Sequence, residues 1–404
     1  MYGDFNRPYR KNYKKLTVGA ILIARSSKQS PNKEDNMILI EQIIQKAIDS
    51  DASDIHLIYG LKPMLRISKA LIPIEEIDYL SEDDLYDIYE YIVEGSVLKD
   101  QEFKEKRRLD CSLVYNGIRL RVNVSFCDDI PLSTMRIIKN SLPRYEDLGL
   151  PNTVKTMMRQ PQGLILVTGK TNSGKSTTLN CLIDDINEKE NKKILTLESP
   201  IEFKHTSKKS IVIQKEVGPG KDALTFKDGV INALREDCDI LVVGEIRDKQ
   251  TMEAAIDMAE SGHLVLGTLH TKSCAETLDR IMSFYDVKDQ AQIKNLMSAL
   301  LKLVVSQRLM PNKHGSGVVL VPEIMVVDNA VAACIRKEKF SVSEIEDAIQ
   351  GALDKGSIGL MNSLANLYVE DKLTLEQIRS QIEEKNYAIL DRMIMQIKSK
   401  PRKM

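Results

Sequence analysis

The sequence predicts an α/β fold, with a parallel-rich sheet covered by helices and a smaller α+β domain ahead of it. Two observations carry this. Four short apolar runs (GLILVTG, KILTLES, DILVVGE and HLVLGTLH) are each followed by a loop and a helical pattern, and such alternation calls for a parallel sheet buried on both faces. Ahead of them, short strand-like runs and helical stretches follow one another without that regular order. A chain of 404 residues accommodates two or three domains of roughly 100–200 residues each. Its 43% hydrophobic and 28% charged residues are an ordinary globular balance, enough to bury sizeable cores.

Taken in order, residues 1–37 are polar, basic and rich in Asn, Ser and Lys, which reads as a partly disordered extension. Within it, LTVGAILIA (residues 16–24) follows Arg10, Lys11, Lys14 and Lys15, the arrangement of a signal peptide. Arg25 and Lys28 come at once, however, and no small-residue cleavage site is evident. The run is also too short to span a bilayer, which takes about twenty residues. The expectation is a cytoplasmic protein. Ile40, Ile43, Ile44, Ala47 and Ile48 then recur at helical spacing. ASDIHLIYG and PMLRI read as strands broken at residues 60–63. Residues 81–100 form an acidic helical stretch, and RLRVNVS (residues 119–125) alternates as a half-buried strand does. These make an α+β domain over 38–139. Two prolines and a glycine mark 140–151 as the linker, and the core domain follows over 152–380. From about Val321 the pattern is mainly helical, and residues 381–404 are a helical tail ending in the basic IKSKPRKM.

Composition removes several function classes. The net charge of −1 gives no basic field, and with no Trp and 5% aromatic residues there is little to stack on bases. No nucleic-acid partner is expected. The six cysteines are scattered without a CxxC pair, which excludes a zinc knuckle of ordinary spacing and fits reduced thiols.

Residues 169–176, GKTNSGKS, fit GxxxxGK(S/T) at every fixed position, between the strand GLILVT and the helix-forming KSTTLNCLIDDI. The loop is Gly169, Lys170, Thr171, Asn172, Ser173, Gly174, Lys175 and Ser176, with Thr177 next. Its glycines let consecutive N–H groups converge on phosphate oxygens, and the positive end of the following helix favours the same charge. Lys175 is placed to reach β- and γ-phosphates and Ser176 to help hold Mg²⁺. The expected cofactors are ATP and Mg²⁺. Glu245 ends the buried run DILVVGE, at the strand edge where ligands sit in parallel sheets. From there it can hold Mg²⁺ through water or polarise the attacking water.

In order, GKTNSGKST, TLESPIEF, LREDCDILVVGEIRD and SGHLVLGTLHT resemble the Walker A, Asp box, Walker B and His box of the type II/IV secretion ATPase superfamily. The likeness is strongest to its PilT-type pilus retraction ATPases and runs from about residue 38 to 375. It implies a RecA-like P-loop NTPase core behind a PAS-like amino-terminal domain. It further implies that Glu202 orients or deprotonates the attacking water with Glu198 assisting, and that Glu245 takes the Mg²⁺-linked role. His263 and His270 would sense the γ-phosphate. Arg119, Arg121 and Arg136 would approach nucleotide across domains or subunits. An arginine supplied by a neighbour implies a homo-hexameric ring working on a membrane-embedded pilus platform protein, with peripheral contact at the inner face of the cytoplasmic membrane.

The chain departs from the pattern in three places. Lys170 and Asn172 stand where the family usually has Pro and Gly, and Ser199 where an aspartate is usual. AVAACIRK (residues 330–337) stands in place of an AIRNLIRE-like retraction motif, with Ala332, Ala333 and Lys337 as the replacements. ATPase activity is therefore better supported than retraction. A pilus-assembly or secretion ATPase and a low-turnover regulatory paralogue stay open, and a DNA-translocating motor is the weakest reading.

Overall fold

The helical spacing at residues 40–48 becomes α1 (Leu39–Asp49), with Ile40, Ile43, Ile44 and Ala47 buried. This computed structural model describes residues 38–67, 70–138, 142–315, 317–338 and 341–399. The expected extension over 1–37, the end of the basic tail at 400–404, and residues 140 and 141 of the expected linker lie outside the described residues.

Helix α1 packs beside a six-stranded antiparallel sheet made of β1 (Asp54–Leu57), β2 (Met64–Ile67), β3 (Ala70–Pro73), β4 (Arg108–Tyr115), β5 (Ile118–Cys127) and β6 (Ile130–Ile138). Its order is β3-β2-β1-β6-β5-β4. Strands β3, β4 and β6 were not anticipated. The acidic stretch is two helices, α2 (Glu82–Val93) and α3 (Val97–Lys106). Glu94 and Gly95 both take left-handed backbone there, φ 50° and 68°, and two such residues in a row end a helix. One apolar core holds this domain together, from Ile43 and Ile44 on α1 to Leu120 and Val122 on β5.

Much of the expected linker is not a free connection. Tyr145 and Leu150 belong to the core of the second domain, and the Tyr145 hydroxyl donates to the Pro151 carbonyl at 2.8 Å. A short helix, α4 (Asn152–Met157), follows.

The second domain is a seven-stranded sheet of order β13-β12-β7-β11-β10-β8-β9. The four predicted strands are β7 (Gly163–Gly169), β8 (Lys193–Glu198), β10 (Ile240–Val243) and β11 (Leu264–Leu269), paired in parallel. Strand β9 (Ile211–Glu216) extends the parallel part. On the other side β12 (Leu301–Pro311) runs parallel to β7, and β13 (Val318–Val326) closes that edge antiparallel. The chain is thus still strand beyond Val321, against the helical expectation. Helices α5 (Lys175–Lys189), α6 (Phe226–Ala233), α7 (Lys249–Glu260), α8 (Cys274–Met282) and α9 (Val287–Leu300) cover the faces. Every residue of β7, β10 and β11 is buried, which is why these runs are apolar without alternation. The remaining chain is helical from α10 (Asn329–Arg336) through α11 (Val342–Gly351), α12 (Leu360–Val369) and α13 (Leu375–Arg379) to α14 (Tyr387–Ser399).

Candidate nucleotide site

Strand β7 runs into the glycine-rich loop, and the loop opens α5. Gly169 has φ 146°, and a Cβ on it would collide with the Ser173 side chain and, at 2.5 Å, with the Gln307 carbonyl. Gly174 caps α5 at φ 86°. Asn172 also sits in left-handed backbone, at φ 63°. That accounts for one departure from the family pattern, because Asn tolerates this conformation better than any other residue except glycine.

Residues Thr171 to Thr177 line a cleft of about 630 Å³. Lys175 is buried, and burial holds its amine below the usual lysine range. Its Nζ donates to the carbonyls of Gly169 at 2.9 Å and Lys170 at 3.1 Å. The buried Ser173 hydroxyl has no hydrogen-bond partner among the described residues. An orphan hydroxyl and a desolvated amine in a cradle that admits no Cβ fit a polyanionic ligand that satisfies both.

The carboxylates come from neighbouring strand ends. Glu198 ends β8, and burial pushes its carboxyl above the usual range. It accepts from the Thr196 hydroxyl at 2.6 Å and from Gln214 Nε2 at 3.1 Å. Glu202 and Ser199, on the loop after β8, line the same cleft. Glu245 follows β10 through Gly244, where a Cβ would meet the Leu197 carbonyl at 2.7 Å, so only glycine lets the two strand ends approach. Burial works to raise the Glu245 carboxyl, but Arg247 and His270 outweigh it and hold it below the usual range. Arg247 Nε lies 2.5 Å and His270 Nε2 2.8 Å from Glu245 Oε1. On its other side His270 Nδ1 is 3.4 Å from Lys175 Nζ. With lysine donating to Nδ1, the ring proton is assigned to Nε2 and faces Glu245.

The predicted site residues do not all converge. His263 sits at the opposite end of β11 from His270, its Nδ1 2.9 Å from the Ser261 hydroxyl and 3.2 Å from the Met258 carbonyl. Arg121 and Arg136, directly opposite one another on β5 and β6, line the cleft. Like charges so placed repel. Among the described residues only Arg136 is paired, with Asp54 at 2.8 Å, so the opposed pair suits a shared anion. Arg119 lies outside the cleft lining and bridges to Glu216 on β9 at 3.6 Å. Both cleft arginines reach the loop from the amino-terminal domain of the same chain, the cross-domain form of the approach that the resemblance implies. Sequence reasoning missed Arg247, visible only as a cation two residues past Glu245. It also missed Gln307, whose Nε2 donates to Thr178 at 2.7 Å behind the loop and which no motif announces.

A parallel sheet with this loop after its buried strand, acidic groups on adjacent strand ends and arginines facing them, defines a P-loop nucleoside-triphosphate-binding domain with an accessory domain against its cleft. The chain belongs to the family described as "Type II/IV secretion system protein", whose model matches residues 30–355. It is 38% identical over 322 residues to the type IV pilus retraction ATPase PilT of Pseudomonas aeruginosa, covering 80% of this chain and 90% of that protein. To the type IV pilus ATPase PilU of the same organism it is 28% identical, covering 86% and 89%. A crystal structure of the pilus retraction motor PilT with bound ADP superposes with a TM-score of 0.79 at 34% identity, covering 87% of this chain and 99% of that one.

Proposed function

We propose that this chain is an ATP-hydrolysing motor subunit of a homo-hexameric ring that powers type IV pilus dynamics, retraction foremost. The observation that carries the reading is the meeting, in one cleft, of the loop with Lys175, three carboxylates and two arginines from the other domain. The loop N–H groups and Lys175 bind β- and γ-phosphates, Lys175 exchanging its contacts with the loop carbonyls for phosphate oxygens. Ser176 and, through water, Glu245 would hold Mg²⁺, which would supply charge neutralisation on those oxygens. Glu202 orients the attacking water or takes its proton, beside Glu198. Arg121 and Arg136 stabilise the charge developing on the transferred group. His270, touching both Lys175 and Glu245, is placed to report whether the γ-phosphate is present, whereas His263 is too distant to do so.

Movement of the two domains against each other then does mechanical work on a membrane-embedded platform protein. No described helix is long and apolar enough to cross a membrane. In this reading, membrane contact is peripheral, through that protein and the basic termini. Deleting the gene and counting surface filaments tests the direction: more filaments support retraction, and none supports assembly or secretion. Particle images of purified protein with nucleotide that show only monomers would remove the ring.

Two observations favour a second reading, a nucleotide-binding regulatory subunit with little turnover. Ser199 brings a hydroxyl to the cleft where the family usually has an aspartate. On α10 the departed motif presents Ala333 to solvent and buries Ala332, while Lys337 pairs with Glu344 at 2.8 Å. Tight Mg-ATP binding without phosphate release from the purified protein decides for the regulator.

A further inference from the structure

The loop that carries Glu202 is stitched to the rest of the site by a side chain that none of the four motifs above includes. His205 is buried, its side chain 2% exposed. Its Nε2 lies 2.6 Å from Asn180 Oδ1, and Asn180 Nδ2 donates to the Ser176 carbonyl at 2.9 Å. Since the Asn180 amide nitrogen is committed to Ser176, its oxygen must accept, and the His205 proton is assigned to Nε2. Burial holds the imidazole below its usual range, consistent with a neutral ring. The backbone N–H of His205 donates to Gln214 Oε1 at 2.8 Å, and Gln214 Nε2 donates to the Phe203 carbonyl at 2.6 Å and to Glu198. The stretch from 199 to 206 is therefore held on α5 by one hand and on Glu198 by the other, with Glu202 between.

We propose that His205 is a positioning residue for hydrolysis: through Asn180 it fixes the Glu202 loop to the turn of α5 that bears Ser176, keeping the carboxylate in register with the bound phosphates. The inference rests on the nucleotide-site reading above. A side chain that merely fills the core would act on stability alone, whereas a misplaced catalytic carboxylate lowers kcat and leaves ground-state binding in place.

The test uses the full chain with His205→Phe, which keeps the ring volume and removes the donor, and His205→Gln, whose amide can restore it. Phosphate release gives kcat and KM, displacement of a fluorescent ATP analogue gives Mg-ATP affinity, and thermal melting gives Tm. Expected for His205→Phe is a fall in kcat of about ten- to a hundredfold, with affinity within about threefold and most of the rate recovered in His205→Gln. An unchanged kcat in His205→Phe overturns the proposal, as does a loss of kcat, affinity and Tm together that His205→Gln does not relieve. Should His205→Phe not fold, Gln214→Leu cuts the loop's other attachment with the ring intact, and it must show the same kcat-selective loss. Wild-type protein without affinity for Mg-ATP is a separate outcome that overturns the nucleotide site itself.

Discussion

Strand β11 carries a histidine at each end, and the two ends of the sheet use them differently. His270, at the carboxyl edge, touches the loop lysine on one side and Glu245 on the other. The ring of His263, at the amino edge, lies against a serine hydroxyl and a carbonyl in the last turn of α7. Six buried residues separate them, a rise of about 20 Å along an extended strand. Two histidines of one motif thus have different surroundings, one ring in the cleft and the other at a helix end. The lesson extends to the arginines of β5: Arg121 lines the cleft, while Arg119, two residues before it on the same face, binds the domain to Glu216. Shared motif membership does not imply shared chemistry when one strand end faces the ligand and the other does not.

The largest effect that would break this contrast is expected at the loop. Lys175→Ala should lower kcat by about 10³-fold and weaken Mg-ATP binding, read by phosphate release and analogue displacement. Retained turnover would move the chemistry away from the carboxyl edge altogether. Next comes Glu202→Ala, with kcat down about 10²- to 10⁴-fold and binding preserved. An alanine enzyme running at the wild-type rate would assign the water to another group, Glu198 first.

The histidine pair sharpens the comparison most directly. His270→Ala should cost at least about tenfold in kcat, by analogy with other groups that touch the transferred charge, while His263→Ala should stay within about twofold. Equal losses would mean that the amino edge takes part. For the arginines, Arg121→Ala is expected to cost about tenfold or more in kcat. Arg119→Ala removes a mostly buried partner of Glu216, which keeps Lys221 at 2.8 Å, and should cost about 1–3 kcal/mol in stability, measured by denaturant unfolding.

The smallest effect concerns Glu198. Burial raises its carboxyl in the folded state, so the folded chain holds that proton more tightly than the unfolded one. Its contribution is most favourable below the ordinary carboxylate range and declines as pH rises through that range to the raised folded value. Glu198→Gln keeps an oxygen to accept from Thr196 and Gln214 and removes the buried charge. The variant should melt about 2 °C higher at pH 8, with the advantage vanishing near pH 4. An advantage of the same size at both pH values would show that ionisation is not its source.

Much of this protein was legible in its chain. Local chemistry determined the buried parallel strands, because continuous apolar runs bounded by loops have few other fates. It determined the phosphate loop as well, because its glycines and its Lys-Ser pair act within a single turn. The resemblance to the secretion ATPases carried Glu202, Glu245 and His270 to the cleft. Strands β9, β12 and β13 and the splitting of the acidic stretch into two helices were not legible, since each depends on a partner distant in sequence. Only the tertiary structure decided which histidine touches the loop lysine and which arginines line its cleft, and that Tyr145 and Leu150 of the expected linker pack into the core. It alone revealed that His205, unremarkable in the sequence, joins the Asp box to the loop helix through Asn180. The physical reason is range: backbone propensity and motif spacing act over a few residues, whereas a strand end becomes a site only by the register of its neighbours.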